Sequence, residues 1–102
     1  MQQFLNQIVL VTGAASGLGA AIAQKLIQSG ATVALVDINL EALKPLATQF
    51  GENALPFQMN ITDEMEVQNV MQSILEKLGK IDILVNAAGI TGQTNTPTQT
   101  FS

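Results

Sequence analysis

The chain has 102 residues, a length that suits one domain with a modest hydrophobic core. It contains no cysteine and no histidine, which excludes disulfides, zinc sites built on these residues and histidine-dependent catalytic triads. The formal net charge is −4 and the four basic residues are scattered lysines, so the electrostatic signature of nucleic-acid binding is absent.

No leader or membrane segment is evident in the sequence. The stretch after Met1 is polar, and no run approaches the roughly 18 apolar residues of a membrane-spanning helix. We therefore expect a cytoplasmic protein with no membrane partner.

The first predicted element is a buried strand that ends at a glycine-rich turn. Residues 8–11 are Ile-Val-Leu-Val, typical of a strand covered on both faces of a parallel sheet. Gly13, Gly17 and Gly19 follow, and glycine lets the main chain approach a ligand closely. A helix that begins near Gly17 would direct unpaired amides and the positive end of its dipole at a phosphate. The alternative is a glycine turn that binds nothing.

A second apolar run, residues 32–36, follows the first helix and finishes on Asp37. Asp37 lies eighteen positions after Gly19, close to the roughly 20 at which a dinucleotide-binding βαβ unit places an acid on the ribose. Its carboxylate would repel the 2′-phosphate of NADP, and the chain has no arginine to receive that phosphate. This favours NAD. Alternatively, Asp37 only ends the strand and begins a turn.

Two further helices and two further strands complete the pattern. Asn39 is predicted to cap a helix over residues 40–50, which we expect to restart at Pro45 because proline removes a helical hydrogen bond. Residues 54–59 are predicted to form a third strand, with Pro56 indicating an edge position.

The next helix is predicted from its apolar periodicity. Thr62 or Asp63 caps it, and apolar residues from Val67 to Leu78 recur at helical spacing, which indicates core packing. Residues 83–85 form a fourth apolar strand that runs into Asn-Ala-Ala-Gly.

Four strands alternating with three helices predict an α/β fold. We expect a parallel sheet in the order 3-2-1-4 flanked by helices, which is part of a doubly wound Rossmann fold. A ligand is expected where the strand order reverses, between strands 1 and 4. Residues 1–91 would form the dinucleotide-binding βαβ units, and residues 92–102 a polar loop or tail leading to a missing C-terminal half.

Two motifs resemble those of the short-chain dehydrogenase/reductase family, whose members bind NAD or NADP. They are Thr-Gly-x-x-x-Gly-x-Gly from Thr12 and Asn-Ala-Ala-Gly from Asn86. The resemblance implies a set of cofactor-binding residues in four segments of the chain. These are Gly13, Ala15, Ser16, Gly17, Leu18, Gly19, Asp37, Ile38, Asn60, Ile61, Asn86, Ala87, Ala88 and Gly89.

Asn60 departs from the family pattern. The family usually has an acid here, which accepts a hydrogen bond from the adenine amino group. The amide oxygen of Asn60 can also accept such a bond. Alternatively, Asn60 is a polar strand end that caps the next helix.

The resemblance also bears on catalysis. The family uses a serine and a Tyr-x-x-x-Lys pair in its C-terminal half, and this sequence contains no tyrosine. We therefore assign no catalytic residue and no metal, and we expect a truncated chain that is inactive alone.

Two functional interpretations remain open. The chain is either the NAD-binding portion of an oxidoreductase that transfers hydride between the cofactor and an alcohol or carbonyl substrate, or a stand-alone, non-catalytic nucleotide-binding module. A methyltransferase-like domain is a third possibility, which the glycine spacing and the Asn-Ala-Ala-Gly disfavour. Because the fourth strand has no residue that protects its edge, we expect a homo-oligomer or association through this edge.

Overall fold

A computed structural model describes residues 3–87 as a parallel β-sheet between two layers of helices. The sheet has four strands, and three helices connect them. In chain order the elements are β1 (Ile8–Thr12), α1 (Gly17–Gln28), β2 (Thr32–Asp37), α2 (Leu40–Phe50), β3 (Ala54–Gln58), α3 (Glu64–Leu78) and β4 (Ile83–Asn86). No helix in this part of the chain is long and apolar enough to cross a membrane.

The strand order is β3-β2-β1-β4 and every pair is parallel, so the predicted fold is confirmed. Thr12 at the end of β1 pairs with Val36 of β2 and with Asn86 of β4, and Asp37 pairs with Gln58 of β3. The carboxyl ends of all four strands therefore meet at one edge of the sheet. Ligands of open α/β sheets bind along this edge.

Alternating residues of the central strands face two separate hydrophobic clusters. Val9 and Val11 point to the layer that contains α1 and α2, where Ala23 and Leu43 are fully buried. The intervening Leu10 points to the opposite layer, which contains α3. Since side chains alternate along a strand, a run without polar residues is what a sheet covered on both faces requires.

The prediction that α2 restarts at Pro45 is wrong. Asn39 caps the helix by accepting a hydrogen bond from the Ala42 amide at 3.2 Å, and the helix continues through Pro45 to Phe50. The hydrogen bond that proline cannot make would have reached the Glu41 carbonyl, four residues earlier. Both residues are exposed, so water can hydrate this carbonyl and the helix need not break.

The prediction that the strand containing Pro56 lies at an edge is confirmed, since β3 is the outermost strand on its side. Asn53 accepts a backbone hydrogen bond from Val33 of β2, and Met59 donates one to Asp37. Because backbone groups alternate in direction along a strand, the nitrogen of Pro56 faces away from β2. The donor that proline lacks would have pointed to the outside of the sheet.

Contacts of Asp82 join two strands at the amino end of the sheet, opposite the end where a ligand is predicted. The Asp82 carboxylate accepts a hydrogen bond from the Ile8 amide at 2.7 Å, and Lys80 Nζ lies 3.1 Å from the same oxygen. The Ile8 hydrogen bond, with a smaller contribution from Lys80, lowers the pKa of Asp82 below its usual value. These contacts join the starts of β1 and β4, which are distant in sequence.

Candidate functional site

The glycine turn between β1 and α1 is held in place by backbone hydrogen bonds. Gly13 has φ of 70°, a left-handed conformation that glycine adopts without strain. The Ala14 amide donates to the Val36 carbonyl at 3.1 Å, and the Ser16 amide donates to the Gly13 carbonyl at 3.0 Å. The turn is thus fastened both to itself and to the end of β2.

Ser16 caps α1 and leaves two amides of the first turn without an internal partner. Its hydroxyl donates to the Gly13 carbonyl at 2.7 Å and accepts from the Gly19 amide at 3.0 Å. Within residues 3–87, the amides of Gly17 and Leu18 have no hydrogen-bond acceptor. Adjacent free amides at a helix N-terminus, with the positive end of the helix dipole, form an anion-binding arrangement.

Gly17 and Gly19 have different surroundings although both belong to the predicted phosphate turn. A Cβ at Gly17 would meet no protein atom within 4 Å, and the residue is exposed. A Cβ at Gly19 would lie 2.1 Å from the Gly13 carbonyl oxygen, and Gly19 is buried. Gly17 therefore leaves open space for a ligand, whereas Gly19 allows the helix to pack against the turn.

Asp37 points toward the glycine turn. Its Oδ2 accepts a hydrogen bond from the Ala15 amide at 3.0 Å, and its Oδ1 accepts one from the Asn39 amide at 3.0 Å. A carboxylate has about four lone-pair positions, so two acceptor positions remain after these bonds. The end of β2 and the glycine turn thus form one continuous surface.

A cleft of about 240 Å³ lies beside Asp37, between the loops that follow β2 and β3. Its walls are largely apolar. The lining residues are Gly13, Val36, Asp37, Ile38, Met59, Asn60, Ile61 and Thr62. The side chains of Ile38 and Ile61 are 58% and 52% exposed, and apolar residues with so much exposed surface can pack against a flat ring.

Asn60 is part of this cleft, but its amide oxygen is already bonded. This oxygen accepts from the Thr62 amide at 3.0 Å and from the Thr62 hydroxyl at 2.6 Å. Asn60 does not cap α3. Asp63 is the N-cap of α3 and accepts from the Glu66 amide at 3.2 Å.

Asn86 ends β4 on the other side of β1. Its Oδ1 accepts a hydrogen bond from the Thr12 hydroxyl, with 2.8 Å between the two oxygens. The side chain of Ala87 is fully buried in the hydrophobic cluster of the α1–α2 layer. Ala88, Gly89 and the predicted tail at residues 92–102 lie outside the described residues.

The structure brings one group of predicted residues together in the cleft: Gly13, Asp37, Ile38, Asn60 and Ile61. Sequence reasoning missed three lining residues, Val36, Met59 and Thr62. Each lies next to a predicted residue near the end of β2 or β3. The predicted ends of these strands were therefore the signal that could have identified the three residues. Among residues 3–87, no cluster of three or more acidic side chains that could hold a metal is present.

Comparisons with known proteins identify the family. The sequence profile described as short chain dehydrogenase matches residues 7–102. The chain belongs to the short chain dehydrogenase family. This assignment agrees with the resemblance of its two motifs and with the strand order of the sheet.

Three members of the short chain dehydrogenase family illustrate the range of similar proteins. The chain is 40% identical over 85 residues to sorbitol dehydrogenase of Cereibacter sphaeroides, covering 83% of this chain and 33% of that protein. It superposes on the 3-ketoacyl-(acyl-carrier-protein) reductase of Brucella melitensis complexed with NADH with a TM-score of 0.79 and 34% identity, covering 81% of this chain and 34% of that one. For NAD+-bound xylitol dehydrogenase the TM-score is 0.77 and the identity 34%, covering 80% and 33%. The chain thus spans about a third of the length of these relatives.

Proposed function

We propose that this chain binds NAD(H) and forms the dinucleotide-binding part of an oxidoreductase. The observation that carries this proposal is the pair of free amides at Gly17 and Leu18 that follows the turn whose Ala15 amide donates to the carboxylate of Asp37. The amides suit a pyrophosphate, and the carboxylate suits the hydroxyl groups of a ribose. Two solved relatives hold NADH or NAD+, which supports the same ligand here.

The residues fit such a ligand in size and in chemistry. The space beside Gly17 that a Cβ would occupy leaves room for a phosphate group. Asp37 keeps two acceptor positions for the ribose hydroxyls while its other contacts hold Ala15 and Asn39 in place. Ile38 and Ile61 would cover the two faces of the base in the adjoining cleft.

The charge of Asp37 favours NAD over NADP. A 2′-phosphate on the ribose would lie near this carboxylate, and no lysine lines the cleft to compensate. The nearest lysine in sequence, Lys44, forms an ion pair with Glu41 at 3.2 Å on the exposed side of α2. Discrimination between NAD and NADP would therefore come from repulsion between the 2′-phosphate and the carboxylate of Asp37.

Hydride transfer is proposed for the whole protein of which these residues would form a part. When bound, the nicotinamide would supply the hydride donor or acceptor for an alcohol or carbonyl substrate. The 102 residues contain no tyrosine, so the proton donor that the family resemblance implies would come from outside them. The three relatives act on different substrates by name, and we propose none for this protein.

Titration calorimetry with NAD and NADP tests this proposal. We expect wild type to bind NAD about tenfold more tightly than NADP, and the isosteric Asp37→Asn to reduce that ratio to near one because the repelling charge is gone. Asp63→Asn is the matched control, since it removes a carboxylate that caps α3 outside the cleft and asparagine caps equally well. Absence of NAD binding, or an unchanged ratio in Asp37→Asn, would refute the proposal.

A further inference from the structure

Glu66 connects the first turn of α3 to the loop that follows β3. Its Oε2 accepts a hydrogen bond from the Asn60 amide at 3.1 Å. Within residues 3–87 this carboxylate is the sole acceptor of that amide. Both residues are partly buried, so water reaches the amide less freely than it reaches an exposed one. The start of the loop therefore depends on a side chain that does not itself line the cleft.

The position of Glu66 in α3 explains how it makes this contact. Asp63 is the N-cap and accepts from the Glu66 amide at 3.2 Å, so Glu66 is the third residue of the helix. A glutamate at this position commonly reaches back to the backbone amide of the N-cap residue. Here the Asp63 amide donates instead to the Asn60 carbonyl at 3.0 Å, and Glu66 reaches on to the Asn60 amide. Both backbone groups of Asn60 are thereby tied to the start of α3.

Ile61 is the residue that these bonds hold in place. Its side chain is 52% exposed and lines the cleft, whereas Met59 is 4% exposed and belongs to the hydrophobic cluster of the α3 layer. Exposed apolar surface costs free energy, so a loop without these bonds would lower its free energy by turning Ile61 toward the protein. The bonds at Asn60 oppose that movement. A ligand then meets a wall of the cleft that is already ordered, which removes a cost of binding.

We propose that Glu66 is a positioning residue that keeps the cleft open by holding the loop at Asn60. This inference rests on the proposed dinucleotide function. Glu66 acts through the Asn60 amide and the neighbouring Ile61, and it does not contact the ligand. The role requires an acceptor rather than a negative charge, so the carboxamide oxygen of a glutamine can perform it. An alanine cannot, and the Asn60 amide is then left without its acceptor.

Titration calorimetry of Glu66 variants with NAD tests the proposal. We expect Glu66→Ala to weaken NAD binding about tenfold, because binding must then order the loop. Glu66→Gln should bind NAD within about twofold of wild type, since it keeps an acceptor for the Asn60 amide. Hydrogen exchange of the Asn60 amide should be faster in Glu66→Ala than in wild type or Glu66→Gln.

Glu64→Ala is the matched control. Glu64 is exposed and lies in the same first turn of α3, and the loop hydrogen bonds described above do not involve it. Its replacement therefore makes the same change of charge near the helix N-terminus while the loop keeps its bonds. NAD affinity should stay within about twofold of wild type.

A double variant separates positioning from a general loss of structure. If Glu66 acts by holding Ile61 in the cleft, Glu66→Ala should weaken NAD binding by a smaller factor in an Ile61→Ser background than in wild type. A structural defect elsewhere would weaken binding by the same factor in both backgrounds.

Several results would overturn the inference while NAD binding itself stands. These are wild-type affinity or unchanged Asn60 exchange in Glu66→Ala, an equal loss of affinity in Glu66→Gln or Glu64→Ala, and the full loss in the Ile61→Ser background. Failure of wild type to bind NAD overturns the proposed function and this inference with it.

Discussion

Gly19 and Gly13 approach so closely that no side chain fits between them: a Cβ on Gly19 would lie 2.1 Å from the Gly13 carbonyl oxygen. The atom it would strike belongs to the backbone, which is itself tied to Ser16 by two hydrogen bonds. The first turn of α1 is therefore packed directly on the glycine turn. Two glycines of one motif consequently have separable roles.

Alanine substitutions at Gly17 and Gly19 should have opposite effects. Gly19→Ala should lower the free energy of unfolding by about 1–3 kcal/mol or more, because the backbone must move to accept the methyl group. Gly17→Ala should leave stability unchanged or raise it by less than about 1 kcal/mol, since alanine favours the helix and meets no protein atom. It should nevertheless weaken NAD binding about tenfold by filling space next to the free amides.

Urea unfolding and NAD titration of both variants provide the measurements. Each variant serves as the other's control, because the chemical change is the same one methyl group. Equal loss of stability in the two variants would contradict this separation of roles.

The exposed side chains of Ile38 and Ile61 should contribute to binding rather than to folding. Each is more than half exposed, so replacement by serine removes little buried area and should change the free energy of unfolding by less than about 0.5 kcal/mol. Loss of the apolar cover on a base should weaken NAD binding about tenfold per variant. Leu5→Ser is the control, since Leu5 is 55% exposed and lies outside the cleft. A similar loss of binding in Leu5→Ser would reject the assignment.

The Thr12–Asn86 hydrogen bond should be worth about 1 kcal/mol to the fold. Thr12 is 8% exposed, and Thr12→Val keeps its shape while leaving the Asn86 oxygen without this donor. The double variant Thr12→Val with Asn86→Leu removes both polar groups. Its loss in the free energy of unfolding should be smaller than the sum of the losses in the two single variants. Denaturant unfolding of the four proteins measures the coupling. Strict additivity would show that the contact contributes nothing.

Asp82 should make stability depend on pH in the acid range. Its folded-state pKa is lowered, first by the Ile8 amide and then by Lys80, so the unfolded state binds the proton more readily. The stabilising contribution is fully present above the unfolded pKa of about 3.9 and is lost as the pH falls through the lower folded pKa. Unfolding of wild type and Asp82→Asn should therefore differ most at neutral pH and converge at the lowest pH.

Lys80→Ala separates the two causes of the Asp82 shift. It removes the smaller contribution and should reduce the pH dependence less than Asp82→Asn does. A stability difference between wild type and Asp82→Asn that stays constant from neutral to acid pH would contradict the assignment.

Replacement of Pro45 should stabilise the protein. Pro45→Ala restores the missing amide of α2 on an exposed surface and should raise the free energy of unfolding by about 1–3 kcal/mol. Thr48→Ala is an exposed control in the same helix and should gain only about 0.5 kcal/mol from helix propensity. If Pro45→Ala raises the free energy of unfolding by less than Thr48→Ala does, the destabilising effect of proline on the helix is offset by the conformational freedom that proline removes from the unfolded chain.

The fold could be predicted because its signals are local. Runs such as residues 8–11 and 32–36 lack polar alternation, and caps such as Asn39 and Asp63 bond to amides three residues later. The strand order then follows from the handedness of βαβ connections. Pro45 was the exception. Helix propensity gives the free-energy cost of the hydrogen bond that proline cannot make, but it does not show whether water can hydrate the carbonyl group left without a partner.

The site was harder to predict because its decisive contacts are not periodic. The glycine spacing indicated a phosphate turn, but it could not separate Gly17 from Gly19, whose difference depends on the distance to Gly13. Nor could it show that Asn60 Oδ1 is already bonded. The residue type tells how many hydrogen bonds a side chain can accept, but not which of them are already made within the fold. The bond between Asp82 and Ile8 joins residues 74 positions apart, beyond any local pattern.

The outward-facing nitrogen of Pro56 makes the β3 side of the sheet less suited than the β4 side to pairing with an additional strand. An added strand beside β3 would find no amide hydrogen at the centre of that strand. The sequence Ile-Leu-Val-Asn of β4 contains no proline, and its outer backbone groups can serve as a template. Any strand recruited by this sheet, from the same polypeptide or from another, should therefore be captured beside β4, and a proline placed there would stop recruitment.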